Sequence, residues 1–272
     1  MCSCPQSVLK SALKQTYDNY KQFKYETIET KDYLFVKGDA PICLVCHLDT
    51  VWEKSTYRFK KGGLEWIHDK ERSVLWSPDC AGFDDRVGTY LALECMDLHP
   101  SVLFCCDEEV GGVGAQQFCN DYLKFPADIK YFIELDRAYT DDCVFYLCEN
   151  KTFQDYIESC GFVTDVGSFS DIYFLGPHFD IACTNLSVGY FDEHTQGERL
   201  YYLATDATLE KVRKMIVDSH STDVPKYKHG KPKNMKLGYQ QMLAPSQAPT
   251  EEDYLKAYGY GDLSEEDKYF AW

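Results

Sequence analysis

Five clusters of histidine and acidic residues stand out along the 272-residue chain. They are His47-Leu48-Asp49-Thr50, Asp84-Asp85, Asp107-Glu108-Glu109-Val110-Gly111-Gly112, Glu134-Leu135-Asp136-Arg137 and Asp192-Glu193-His194. Taken singly, each reads as surface charge, and Asp84-Asp85 as the acidic start of a helix. Taken together they read differently. Carboxylates gathered at one place repel one another unless a cation offsets them. Mixed imidazole and carboxylate donors suit zinc or a similar divalent ion. Two histidines and several carboxylates exceed what one four-coordinate ion needs, and the count fits two ions sharing a bridging carboxylate. A Glu-Glu pair can then supply one ligand and one free carboxylate, the latter able to take a proton from water.

Such clusters act together only if the chain brings them to one edge of a sheet. The pattern predicts short strands over 25–29 and 32–37, a buried strand over 41–47 and a hairpin within 57–77. It predicts further strands over 101–106, 130–135, 143–148 and 181–190. Helices are expected over 7–23, 84–98, 113–123, 151–160 and 207–219, with Val87, Leu91, Cys95 and Leu98 on one helical face before Pro100. Strands alternating with helices imply an α/β domain, a three-layer α/β/α sandwich with a mostly parallel central sheet. Ligand sites in such sheets collect beyond the carboxyl ends of the strands. The clusters after 41–46, 101–106, 130–135 and 181–190 sit at those ends.

The motifs His47-Leu48-Asp49-Thr50-Val51, Gly82-Phe83-Asp84-Asp85-Arg86-Val87-Gly88, Asp107 to Gly114, Glu134 to Arg137 and Glu193-His194-Thr195 follow one another in this order. The series resembles that of the co-catalytic dizinc exopeptidases, which include peptidase T, carboxypeptidase G and related aminopeptidases. The resemblance covers roughly residues 40–218. It implies that His47 and Asp136 bind one metal, that Glu109 and His194 bind the other, and that Asp84 bridges both. Glu108 is then the general base and Asp49 the partner that fixes the tautomer of His47, with Asp85 a helix-start residue. Gly167-Ser168-Phe169-Ser170-Asp171 resembles a stretch that these enzymes carry beside the cleft, which makes Asp171 a substrate-side residue. The implied cofactor is a pair of divalent ions, zinc first, with cobalt or manganese as alternatives. The implied reaction is hydrolysis of a peptide or amide bond by a hydroxide held between them, with a short peptide or an N-acyl amino acid as substrate. Two departures are evident. The stretch from Asp136 to His194 is too short for the lid and dimerisation domain of many members, and that from His47 to Asp84 too short for another inserted lobe. A lidless catalytic domain over 1–220 is expected, with no match for the histidine that the lid often supplies.

The rest of the sequence narrows the alternatives. A net charge of −16 opposes general binding to nucleic acid or an anionic membrane. No uncharged apolar run is long enough to span a bilayer. Lysines stand where a signal peptide needs its apolar core. The 13 cysteines are odd in number and scattered, which fits a reducing compartment, and a cytoplasmic location is expected. Cys43-x-x-Cys46 falls inside an apolar run and reads as core. His68, His99, His178, His220 and His229 read as surface residues. Residues 221–272 read as a polar linker, rich in lysine and proline, and a tail. No Gly-rich nucleotide motif is present. Two readings compete with the hydrolase: a catalytically silent scaffold that keeps the fold to bind a partner, and a zinc-buffering or thiol-regulated protein built on the cysteines.

Overall fold

The computed structural model describes residues 25–51, 65–78, 81–146, 148–167 and 169–232. The helix expected over 7–23 and the tail beyond 232 lie outside them. Strands are β1 (Glu26–Glu29), β2 (Tyr33–Lys37), β3 (Ile42–His47), β4 (Ile67–Asp69), β5 (Val74–Trp76), β6 (Ser101–Cys105) and β7 (Tyr131–Arg137). They continue with β8 (Asp142–Val144), β9 (Cys148–Glu149), β10 (Val163–Thr164), β11 (Cys183–Ser187), β12 (Tyr190–Phe191), β13 (Arg199–Tyr201) and β14 (Lys231–Pro232). Helices are α1 (Phe83–Glu94), α2 (Val113–Asp121), α3 (Lys151–Ser159), α4 (Ile172–Phe179) and α5 (Tyr202–Ser219).

The central sheet has eight strands in the order β1-β2-β6-β3-β7-β11-β8-β10. Its middle, β6-β3-β7-β11, is parallel throughout. These strands are covered on both faces and therefore read as continuous apolar runs. In β3, Ile42, Leu44 and Cys46 join the core beneath α1, α3 and α5, whereas Cys43 and Val45 join the core beneath α2 and α4. The two-residue alternation of a strand is the cause. It also puts Cys43 and Cys46 on opposite faces, so the Cys-x-x-Cys spacing makes neither a redox nor a metal pair. The result is a three-layer α/β/α sandwich, as the sequence pattern implies.

Phe118 of α2 anchors the second core. It is fully buried, and its ring stands 4.9 Å from that of Tyr33 and 5.5 Å from that of Phe35. Phe118→Ala is expected to destabilise the domain by about 3–5 kcal/mol, read as a lower denaturant midpoint.

Several elements differ from the sequence expectation. No element is expected over 172–179, where α4 forms; the helix contains Pro177 near its end. Helix α5 begins at Tyr202, ahead of the expected 207. The strand expected over 143–148 is split into β8 and β9. The start of the expected polar linker packs against the domain. Val224 and Tyr227 are buried, the Tyr227 ring lies 4.9 Å from Phe153, and β14 pairs with β9. No described helix is long and apolar enough to cross a membrane.

Candidate metal centre

The parallel strands deliver their donors to one edge. His47 is the last residue of β3, Asp136 lies at the end of β7, and Glu108 and Glu109 follow β6. Asp84 opens α1, and His194 lies in the loop between β12 and β13. Gly88 lets α1 approach: a Cβ there would stand 2.0 Å from the Leu135 carbonyl oxygen, beside Asp136. Gly112, at φ 68°, begins α2 in the left-handed region that favours glycine.

Asp84 faces both ways. Its Oδ1 is 2.9 Å from His47 Nε2, which is 3.3 Å from Asp136 Oδ1. Its Oδ2 is 3.0 Å from His194 Nε2, which is 2.8 Å from Glu109 Oε1. Five residues expected to act together thus meet in one ring. Donors held around a tetrahedral zinc stand roughly 3.3 Å from one another, and the ring has nearly that spacing. The donors of His47, Asp84 and Glu109 form one compact candidate group, and those of His47, Asp85 and Asp136 another. Asp85, however, directs its oxygens to main chain: Oδ1 accepts the Gly88 N–H at 2.8 Å and Oδ2 the His47 N–H at 3.1 Å. Its place is that of a helix-start residue. Neither candidate group includes a cysteine, and the ten cysteines of the described residues are all free.

Electrostatics mark the ring as a place for cations. Burial, with the charge of Asp136 added, pushes the Glu108 carboxyl up to about 9. Burial raises Asp136 well above the carboxylate range, against the pull of His47. Hydrogen bonds to Asp84 and Glu109 lift His194 to about 10. Burial alone would lower His47, yet Asp136, Asp49 and Asp84 hold it well above its usual value. Asp84 is buried too, but its bonds to His194 and His47 keep it ionised and low. Crowded carboxylates thus hold protons that divalent ions would displace. The donor set fits such ions.

Asp49 stands against His47 and serves a second group as well. The far nitrogen of His47, Nδ1, lies 3.0 Å from the Asp49 main-chain oxygen and 3.4 Å from the carboxylate. The carboxylate also accepts the N–H groups of Glu108 and Glu109, both at 3.1 Å. Asp49 therefore fixes the imidazole through its carbonyl and the Glu-Glu loop through its side chain. Asp171 departs from its expected place. It is fully buried and does not line the cavity. Its N–H is donated to Glu134 Oε1 at 3.0 Å, and Ser170 Oγ donates to the other oxygen of Glu134. Asp171 is thus tied beneath the floor of the site and is not placed to touch substrate. His229, expected on the surface, is half-buried against Cys148 Sγ.

Sequence reasoning missed the residues that support the ring. Asn185 in β11 accepts the Asp136 N–H at 3.0 Å and donates to the Asp136 carbonyl at 3.2 Å. Tyr190 Oη donates to the same carbonyl at 3.3 Å. The available signal was a buried-strand pattern interrupted by an amide, Cys-Thr-Asn-Leu-Ser, because a buried amide needs partners. Glu134 inside Tyr-Phe-Ile-Glu carries the same signal.

A cavity of about 470 Å³ opens over the ring. Asp84, Glu108, Glu109, Asp136 and His194 face it, with Glu193 and Arg137 beside them. Tyr139, Tyr146, Phe169 and Tyr190 supply aromatic walls. Arg137 is already paired with Asp165 at 2.6 Å and Asp142 at 3.4 Å.

No family model matches the chain, and no curated protein matches it. Solved structures match it in fold. A tripeptidase from Staphylococcus aureus aligns with a TM-score of 0.59 at 13% identity, over 80% of this chain and 94% of that one. The aminopeptidase PepT from Bacillus cereus aligns at 0.55 and 14%, over 77% and 92%. A glutaminyl cyclase from Porphyromonas gingivalis aligns at 0.52 and 12%, over 80% and 91%. One fold hosts more than one chemistry. The chain has the α/β/α fold shared by these enzymes, with two adjacent candidate metal sites at the carboxyl edge of its parallel strands.

Proposed function

We propose that the chain is a metal-dependent hydrolase of peptide or amide bonds, acting as an exopeptidase on short peptides. The observation that carries this reading is the two-faced Asp84, with His47 on one oxygen and Asp136 beyond it, and His194 on the other and Glu109 beyond it. Those five residues would hold two divalent ions, zinc by donor type. Ions there would polarise a substrate carbonyl and make water acidic enough to attack it near neutral pH.

The chain's own residues do the rest. Glu108 faces the cavity and is not needed as a ligand. It takes a proton from the attacking water and returns it to the leaving nitrogen, so no net proton is consumed at the carboxylate. Asp49 keeps the Glu108 backbone in place. With His47 Nδ1 committed to the Asp49 carbonyl, Nε2 faces Asp84 and Asp136, where an ion would sit among the three. The cavity has the size of a small-ligand site, which suits a short peptide or an N-acyl amino acid.

Metal analysis of the purified chain, followed by mass spectrometry of a panel of di- and tripeptides and N-acyl amino acids, tests the reading. About two ions per chain and amide cleavage that a chelator abolishes and zinc, cobalt or manganese restores are expected. Two bound ions with no cleavage across the panel would favour the silent scaffold, and absence of bound ions would remove the dinuclear site.

A further inference from the structure

One buried carboxylate near the ring is neither a ligand nor a base. Glu198 is 1% exposed and follows His194 in the loop that leads into β13. Its Oε2 accepts the Gly82 N–H at 2.5 Å, and its Oε1 accepts the Asp84 N–H at 3.0 Å. Gly82, at φ 60° and ψ 52°, turns the chain so that both N–H groups point to one side. Successive main-chain donors in such a turn form a cradle for an anion. The cradle lies just ahead of the regular turns of helix α1, which Asp85 caps through the Gly88 N–H. Glu198 brings its carboxylate there from far away in the sequence; burial pushes it up to about 7 while those main-chain N–H groups favour the charged form.

The loop that carries Glu198 is itself stiff. Thr195 Oγ1 donates to the Asp192 carbonyl at 2.7 Å and accepts the Gly197 N–H at 3.1 Å. His194 stands within it at φ 63°, a conformation costly for a residue with a Cβ and held only because its surroundings fix it. Glu198 therefore joins two segments that each bear a donor. At one end is the main chain of Asp84, and at the other the loop of His194. Across that junction Asp84 Oδ2 and His194 Nε2 stand 3.0 Å apart.

We propose that Glu198 is a positioning residue of the metal centre. It aims the bridging carboxylate of Asp84 and sets His194 opposite, so that the position formed by Asp84, Glu109 and His194 exists as a site. The role rests on the dinuclear reading above. Glutamine at this place keeps the shape and one acceptor oxygen, but it presents an amide N–H to a main-chain N–H and removes the charge from the cradle. Loss of a group that orients a ligand typically costs about 10–100-fold in metal affinity. The effect falls on the ion held by Asp84, Glu109 and His194, and less on the one held by His47 and Asp136.

Calorimetric titration of the chelator-stripped protein with zinc or manganese, paired with the visible absorption of cobalt, separates the two binding steps. For Glu198→Gln, one step is expected to weaken by about 10–100-fold and the other to shift less, with the circular dichroism of the metal-free protein unchanged. Glu198→Asp, which keeps the charge and reaches one amide, is expected to fall between the two; it carries the same test if the glutamine variant does not fold. A folded Glu198→Gln or Glu198→Asp protein that binds two ions with wild-type affinities would overturn the role. So would equal weakening of both steps together with a lower melting temperature of the metal-free protein, the mark of a merely structural residue. Wild-type protein that binds no divalent ion would overturn the dinuclear reading itself, and this proposal with it.

Discussion

Glu108→Gln is expected to lower peptide hydrolysis by about 10²–10⁴-fold, the usual contribution of a positioned general base. Both ions are expected to remain bound. The reason lies in the division of labour after β6. Glu108 and Glu109 both face the cavity, but Glu109 Oε1 is 2.8 Å from His194 Nε2 and belongs to the donor ring, whereas Glu108 is outside it. Asp49 holds the N–H of each, so replacing one carboxyl by its amide leaves the loop in place. The loss should appear in kcat more than in KM, because the proton moves only as the bond breaks. Steady-state kinetics beside metal content measures it. Activity equal to that of the wild type would exclude Glu108 as the base, and loss of an ion would make it a ligand.

The second large effect concerns the bridge. Asp84→Ala is expected to weaken both ions at once, by more than the roughly 10–100-fold that follows loss of a supporting group. Replacing a residue that served one ion would leave the other in place. Titration of the metal-free variant decides it, and retention of one ion at wild-type affinity would show that Asp84 serves a single position. The metal-free wild type should also respond to pH in a defined sense. Folding lifts His194 to about 10 and Glu108 to about 9. Each is raised above its unfolded value, so the folded chain binds more protons and loses stability as pH rises. The change starts near the unfolded values, about 4.3 for glutamate and 6.5 for histidine, and ends as the folded values are passed. Ion uptake displaces the same protons, so metal affinity rises over the same range. Thermal melts at several pH values, with and without metal, should show the decline in the metal-free protein and a smaller one in the loaded protein.

His47, Glu109 and Asp136 were legible because each lies at the end of an apolar run that a buried parallel strand explains. Ile42 to Cys46 and Ser101 to Cys105 are continuous and buried, and a continuous run announces where its polar end must emerge. Supporting residues were less legible because their partners are remote. Nothing near Glu198 in the sequence points to Gly82 or Asp84, and only folding reveals that its carboxylate lies against their amides. Asp171 misled for a related reason. The resemblance placed its segment beside the cleft, and that segment does supply Phe169 to the wall, but the link from Ser170 and Asp171 to Glu134 turns Asp171 inward.

Asp84, Glu109, Asp136 and the two histidines are spread from position 47 to position 194, and none is a sequence neighbour of another. No hairpin or single helix pairing assembles even half of the ring, so it can close only after β3, β6, β7 and the loop beyond β11 have docked. High-affinity uptake of ions should therefore be among the last events in refolding. Once captured, the ions would staple those segments against local opening, and the loaded chain should resist proteases for longer than its overall stability alone would suggest.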